Sequence, residues 1–281
     1  MKTYHDCIPC LIRQALDAAR FSTSDEEIHE QVLRGVLRET SEMDLRESPP
    51  LMAQQIHRMI RKLSGNDDPY KKLKDHFNQF ALGLYPKLKK KIKHFANPLT
   101  AAVRIAIAGN IIDFGPNHKV DRSFVYETIE QSLSEKVFGN IDEMLNTIGL
   151  AENVLYLGDN AGEIVFDRLL IEQRSFNTVT FVVRGGPVVN DATINDAEYV
   201  GMTSLVEVID NGSDAPGTII EDCSKEFRRR FSGADLIIAK GQGNYEALND
   251  VQKDIFFMLK AKCPVIARDI GCKVGNLVIA R

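Results

Sequence analysis

Asp159 and Asn160 follow the apolar run Val154-Leu155-Tyr156-Leu157 and sit among the small residues Gly158, Ala161 and Gly162. Oxygen-bearing side chains where little else obstructs the backbone suit two kinds of ligand: an anion at the free N–H groups of a following helix, or a hard metal ion. A second polar segment, Arg184-Gly185-Gly186-Pro187-Val188-Val189-Asn190-Asp191, follows the run Val179 to Val183, and a third, Lys240-Gly241-Gln242-Gly243-Asn244, follows Leu236 to Ala239. Asp159 and Asp191 bring carboxylates and Asn160 a carbonyl, a hard-oxygen set for a divalent ion such as Mg²⁺ or Mn²⁺ with positions left open for water and substrate. Arg184 and Lys240 add cations. A metal flanked by cations suits a phosphoryl group, whose transition state spreads negative charge over its equatorial oxygens. Taken singly, Asp159-Asn160 also reads as an Asx turn, Lys240-Gly241 as a strand-end turn and Asn190-Asp191 as a helix cap. Their common place at strand ends favours one shared site.

Such a site needs a sheet to hold it. Apolar runs at Val154–Leu157, Val179–Val183, Val206–Ile209, Leu236–Ala239, Val265–Ala267 and Leu277–Ala280 are expected as strands, with helices at Ile164–Gln173 and Ile219–Arg230 between earlier ones. Strands apolar throughout and alternating with helices indicate a mostly parallel sheet covered on both faces, so the expected fold class is α/β, a three-layer α/β/α sandwich. In such sheets ligands bind beyond the carboxyl ends of the strands at a topological switch point. Ahead of it, up to about Phe95, apolar residues recur at helical spacing, as in Leu11, Ala15, Ala18 and Ala19, and in Met52, Ile56, Met59, Ile60 and Leu63. Ser24 before Asp25-Glu26-Glu27 reads as a helix cap, while Pro49-Pro50 and Asn66-Asp67-Asp68-Pro69 read as breaks. The expected division is a helical bundle or cap over 1–97 and a catalytic α/β/α domain over 98–281.

The 281 residues carry 35 Lys plus Arg against 39 Asp plus Glu, a near balance that lacks the basic footprint of a nucleic-acid binder. The basic run Lys87 to Lys93 interleaves Leu88 and Ile92 four apart and reads as a solvated helix face beside a core. No apolar run reaches the roughly 20 residues of a membrane span, and the first residues lack the apolar centre of a secretion signal, so the cytoplasm is the expected location. Five scattered cysteines do not make a disulfide framework. Cys7-Ile8-Pro9-Cys10 has metal-ligand spacing without a second such pair; His5 and Cys272 could complete a zinc site, or the two cysteines simply open a helix. Gly241-Gln242-Gly243 lacks the third glycine of a dinucleotide fingerprint, and neither a P-loop nor a Gly-x-Ser-x-Gly elbow occurs. In the second half His118 alone is available for histidine-dependent nucleophile activation.

Six segments in order carry a resemblance: Cys7-Ile8-Pro9-Cys10, Ala108-Gly109-Asn110-Ile111-Ile112-Asp113-Phe114-Gly115, Gly158-Asp159-Asn160-Ala161-Gly162-Glu163, Gly186-Pro187-Val188-Val189-Asn190-Asp191-Ala192-Thr193, Ala239-Lys240-Gly241-Gln242-Gly243-Asn244-Tyr245-Glu246 and Val274-Gly275-Asn276-Leu277. Together they resemble the damage-control phosphatase family, long catalogued as domain of unknown function 89, in its microbial branch with an N-terminal Cys-x-x-Cys.

The resemblance implies a metal-dependent phosphatase for small phosphorylated metabolites such as sugar phosphates or phosphopantetheine-like compounds, with Mn²⁺, Ni²⁺, Co²⁺ or Mg²⁺ as cofactor. The family's ligands fall on Asp159, Asn160 and Asp191, with Asp196 five residues on as a competitor for the third place. Its phosphate-contacting segment falls on Lys240 and Gly241, with Asn244 close by, and Asn110 and Asp113 match a pocket-lining element. Glu163 or Asp113 would position an attacking water, with Lys240 and Arg184 neutralising developing charge; alternatively Asp159 would attack as a nucleophile and form an aspartyl phosphate. Readings from other classes are a methyltransferase or other metal-site enzyme on the same fold, and a non-catalytic metal or metabolite sensor built on Cys7 and Cys10.

Overall fold

The computed structural model describes residues 1–111, 122–173 and 178–281. Its first four helices are α1 (Cys7–Ser22), α2 (Glu26–Glu42), α3 (Pro49–Ser64) and α4 (Lys71–Ile92). Leu11, Ala15, Ala18 and Ala19 of α1 meet Val32 and Val36 of α2 and Ile56 and Ile60 of α3 in a core of their own. The small alanines let α1 lie close against its neighbours. The cap of α2 is Asp25, one residue beyond the expected Ser24: its carboxylate accepts from the Glu27 N–H at 2.9 Å. Pro49 and Pro50 open α3, where a missing N–H costs nothing, and Gly65 closes it in the left-handed conformation. Leu88 and Ile92 are buried while the lysines around them line the outer side of α4, with Lys89 paired to Glu172 and Lys87 over the Tyr126 ring.

The chain continues through α5 (Pro98–Ala108), a 3₁₀ turn (Gly109–Ile111), α6 (Arg122–Ser132), β1 (Val137–Phe138), α7 (Ile141–Leu150), β2 (Asn153–Leu157), α8 (Glu163–Gln173), β3 (Thr178–Val183), α9 (Ile194–Tyr199) and β4 (Glu207–Asp210). It ends through α10 (Lys225–Gly233), β5 (Leu236–Lys240), α11 (Gly241–Leu248), β6 (Ile255–Lys260), α12 (Pro264–Ile270) and β7 (Leu277–Ala280). The sheet runs β1-β7-β6-β5-β2-β3-β4, with every neighbouring pair parallel except β6 and β7. One face is covered by α4, α5 and α8 through Phe77, Ile105 and Phe166, the other by α10, α11 and α12 through Phe227, Leu248 and Ile266. The expected three-layer α/β/α architecture with N-terminal helices is therefore present.

Two local expectations are corrected. Val265–Ala267 is not a strand but the first turns of α12, which has Pro264 at its start and Gly271 as a left-handed cap. The strand that fills this part of the sheet is β6, whose run Ile255-Phe256-Phe257-Met258-Leu259 is wholly buried. The helix expected over Ile219–Arg230 is broken: a 3₁₀ turn spans Ile220–Asp222, and Ser224 then caps α10 by accepting from the Phe227 N–H at 3.1 Å.

From β2 the chain steps outward to β3 and β4, then returns to place β5 on the other side of β2. The gap between β2 and β5 is thus the topological switch point, where the connections diverge and leave a crevice. Asp159 leaves β2 and Gly241 leaves β5 at that crevice.

Candidate active site

The loops after β2 and β3 are stitched together by their backbones. Asn160 bridges Asp191, the Ala192 N–H donates to the Asp159 carbonyl at 2.8 Å, and the Ala161 N–H donates to the Asn190 carbonyl at 2.8 Å. These bonds bring Asp159, Asn160 and Asp191 into one buried cluster. Arg184, the first residue beyond β3, spans it: Nε donates to Asp191 Oδ2 at 2.6 Å, while Nη2 lies 3.6 Å from Asp159 Oδ1. Nη1 reaches Thr218 Oγ1 and Asn244 Oδ1 at 3.4 and 3.3 Å. Nη2 itself is buried without a hydrogen-bond partner among the described residues. A guanidinium keeps its charge under any ordinary condition, so a spare N–H beside two carboxylates leaves a donor for one more oxygen.

On the other side of Asp159 stand two amides and a glutamate. Asn160 Nδ2 donates to Asp159 Oδ2 at 2.8 Å and to Glu163 Oε2 at 2.9 Å, and Asn110 Nδ2 donates to the same two oxygens at 3.0 Å each. Burial first, and then the charges of Glu163 and Asp191, push the Asp159 carboxyl well above the ordinary carboxylate range, against the pull of Arg184 and Lys262. Gly241 completes the wall at φ +79°, where a Cβ would overlap Asp159 Oδ2 and stand 2.9 Å from Oδ1. The carboxylate rests directly on the first residue of α11.

Lys240 is brought to the site from β5 but faces inward. It has 0 % of its surface exposed, and its ammonium donates to the Ala106 carbonyl at 2.8 Å, Glu163 Oε1 at 2.9 Å and Asp167 Oδ1 at 2.5 Å. All three of its donors are committed within the protein. Against the downward pull of burial, Asp167 and Glu163 hold this ammonium above its usual range. Asp167, which also accepts from the Tyr156 hydroxyl at 2.7 Å, is raised by burial to about 6 despite Lys240. Sequence reading missed Asp167, although Glu163 and Asp167 stand four apart in an otherwise apolar stretch and therefore share one helical face. Asn244 braces the crevice floor, its Nδ2 donating to the Lys240 carbonyl at 2.8 Å and its Oδ1 accepting from Thr218 at 2.8 Å. Asp113 and His118 lie outside the described residues.

Asp191 and Asp196 have separate surroundings. Asp196 accepts from the Thr193 N–H and hydroxyl at 2.9 and 2.7 Å, capping α9, and from Asn78 Nδ2 at 2.8 Å, with Lys74 3.5 Å away. Asn78 in turn accepts from the Gly162 N–H at 2.7 Å, so α4 holds the loop after β2 from above. From α3, Arg61 donates to the Pro187 carbonyl and pairs with Asp214, which also binds Arg58 and Gln54. The helical layer thus clamps both loops that carry the acidic cluster, through polar residues that show no motif in sequence.

Two carboxylates and an amide carbonyl, set side by side by backbone pairing, suit a hard divalent ion, and the mutual repulsion of Asp159, Asp191 and Glu163 is what a cation would relieve. No three His, Cys, Asp or Glu side chains cluster at metal-ligand spacing among the described residues, so an ion here would draw on the Asn160 carbonyl and on water. Cys7 and Cys10 open α1, and Gln14 donates to the Cys10 sulfur.

A doubly wound α/β fold with buried carboxylates spanned by an arginine at its switch point has a polar cluster where open α/β sheets bind their ligands. Residues 3–278 match the model of the damage-control phosphatase ARMT1-like domain, and the chain belongs to that family. It is 33 % identical to a damage-control phosphatase of Pyrococcus horikoshii over 100 % of this chain and 98 % of that one, and 36 % identical to a damage-control phosphatase of Archaeoglobus fulgidus over 99 % and 98 %. The crystal structure of a duf89 family protein from Pyrococcus horikoshii superposes with a TM-score of 0.90 at 33 % identity, covering 100 % of this chain and 99 % of that one.

Proposed function

We propose that this protein is a divalent-metal-dependent phosphatase that hydrolyses small phosphorylated metabolites, with Asp159, Asn160 and Asp191 as the metal ligands. The observation that carries the reading is the buried Arg184 guanidinium, bonded to Asp191 and holding a spare N–H next to Asp159. A divalent ion among those ligands would neutralise charge on the phosphoryl oxygens. Arg184 Nη2 binds a phosphoryl oxygen and strengthens that bond as charge develops in the transition state. Asn110 and Asn160 hold the Asp159 carboxylate in one orientation, and Gly241 lets the substrate and the carboxylate share the narrow mouth of α11.

Lys240 enters this reading as a positioning residue, in place of the direct phosphate contact that the family resemblance implies for its Lys-Gly segment. It fixes Glu163, which fixes both amides. Whether water attacks phosphorus directly or Asp159 does so first is decided by chirally labelled phosphate: one step inverts the configuration and a phosphoenzyme retains it. The primary test is a panel of phosphomonoesters assayed for phosphate release with Mn²⁺, Co²⁺, Ni²⁺ and Mg²⁺. Asp159→Asn is expected to abolish release while the protein stays folded; wild-type turnover in that variant would sink the assignment.

A further inference from the structure

Glu163 is a buried acid whose bonding capacity is spent on the protein. It opens α8 without any exposed side-chain surface, and both of its oxygens take bonds. Oε1 accepts from Lys240 at 2.9 Å, while Oε2 accepts from Asn110 and Asn160 at 3.0 and 2.9 Å. The stem is fixed too, because a Cβ on Gly109 would stand only 3.4 Å from Glu163 Cγ and the turn after α5 packs against it. Lys240 in turn is held by Asp167 and the Ala106 carbonyl. A carboxylate bonded on both oxygens and sealed from solvent is poorly placed to take a proton from water.

The Asn160 amide shows what Glu163 does instead. Its nitrogen carries two hydrogens, and Asp159 Oδ2 at 2.8 Å and Glu163 Oε2 use both. An asparagine just ahead of a helix ordinarily turns its side-chain oxygen to the free N–H groups. Asn160 turns its nitrogen to the first side chain of α8. Half a turn of the amide would set its oxygen against two carboxylate oxygens and forfeit both bonds, so one orientation alone is allowed.

We infer that Glu163 is a positioning residue for the metal: it locks the Asn160 amide so that the carbonyl oxygen, and not the nitrogen, is the end offered to a cation. This rests on the metal-dependent reading above. An amide free to rotate presents N–H donors to the ion part of the time, whereas a locked one offers only its oxygen. Asn110 Nδ2 joins Glu163 to Asp159 in the same way. One carboxylate thus orients two of the three ligands, Asn160 directly and Asp159 through Asn110.

The test is Glu163→Gln, whose own side-chain N–H groups must face either the two amides or the Lys240 ammonium; donor meets donor in both cases. Mn²⁺ affinity, read without substrate by calorimetry and by the free-ion EPR signal, is expected to fall about 10–100-fold. Hydrogen exchange of the Asn160 side-chain amide, followed by NMR in the metal-free protein, should be slow in the wild type and markedly faster in the variant. Melting on the same sample checks folding. Glu163→Asp, which keeps the charge but shortens the reach to the amides, reads the same losses if Glu163→Gln does not fold. Unchanged Mn²⁺ affinity overturns the inference, and loss of the acid limb of the pH–rate profile at that affinity would make Glu163 a base. A fall in affinity with unchanged amide exchange overturns it as well, since lost charge alone would then account for the effect. No Mn²⁺ binding by the wild type overturns the metal reading and the inference together.

Discussion

Gly241→Ala is the most direct probe of the site's geometry. Gly241 has φ +79°, and a methyl group there would overlap the Asp159 carboxylate. The left-handed conformation costs a non-glycine residue about 1–2 kcal/mol. Overlap must also be relieved: carbon and oxygen need more than 3 Å, so the carboxylate has to retreat by about 1 Å or more. Retreat is resisted, because Asp159 Oδ2 is bonded to both Asn110 and Asn160. A displacement of about 1 Å in a catalytic group can cost about a hundredfold in rate. We expect Gly241→Ala to lose at least that factor in metal-stimulated phosphate release, while melting falls only modestly, by roughly 3–8 °C for about 2 kcal/mol. Phosphate release, Mn²⁺ titration and thermal melting on one preparation separate the effects. Wild-type turnover and metal affinity in a well-folded Gly241→Ala protein would mean that Asp159 does not do its work beside α11.

Other substitutions separate roles that look alike in sequence. Asp191→Asn should abolish metal-stimulated turnover and also lower the melting temperature, because it removes a counter-charge of buried Arg184, whereas Asp196→Asn should cost about 1–3 kcal/mol of stability by weakening its cap and leave the folded protein active; an active Asp191→Asn protein beside an inactive, folded Asp196→Asn protein would reassign the third ligand. Lys240→Met should destabilise by about 3–5 kcal/mol, since it strands two buried carboxylates, and denaturant midpoints will detect this; an unchanged midpoint would remove its positioning role. His57 is buried, and burial, then Arg61, lowers it to about 4. Its folded form binds a proton less readily than the unfolded chain, so its contribution is fully present above pH 6.5 and is lost as pH falls through about 4. The loss amounts to roughly 3 kcal/mol, and His57→Phe should flatten that part of the stability profile in urea titrations at several pH values.

Much of this site was legible because its residues are local to strand ends. Asp159-Asn160, Arg184, Asp191 and Lys240-Gly241 each follow a buried strand that apolar runs reveal, and the switch-point rule gathers them. Val265–Ala267 misled because three apolar residues carry no period; the helix signals were Pro264 before them and Gly271 after. The direction in which Lys240 points was illegible for a different reason. It depends on Asp167 and on the Ala106 carbonyl, 73 and 134 positions away, and no local pattern encodes such distances. The clamp from α3 and α4 was hidden likewise, since Asn78, Gln54 and Arg61 look like any polar residues on a helix.

The pairing of Lys240 with the two carboxylates of α8 also bears on the order in which the chain can assemble. Glu163 and Asp167 leave the ribosome 77 and 73 residues before their counter-ion. A nascent β2-α8-β3 unit cannot close its sheet over two ionised groups without that cation, so they must stay hydrated or take up protons until β5 arrives. The parallel pair β2 and β5 is a long-range contact of the kind that forms slowly, and here its formation is also what allows α8 to dry out. The crevice between β2 and β5 and the dry packing around α8 are therefore late to form, and a truncated chain lacking β5 has neither.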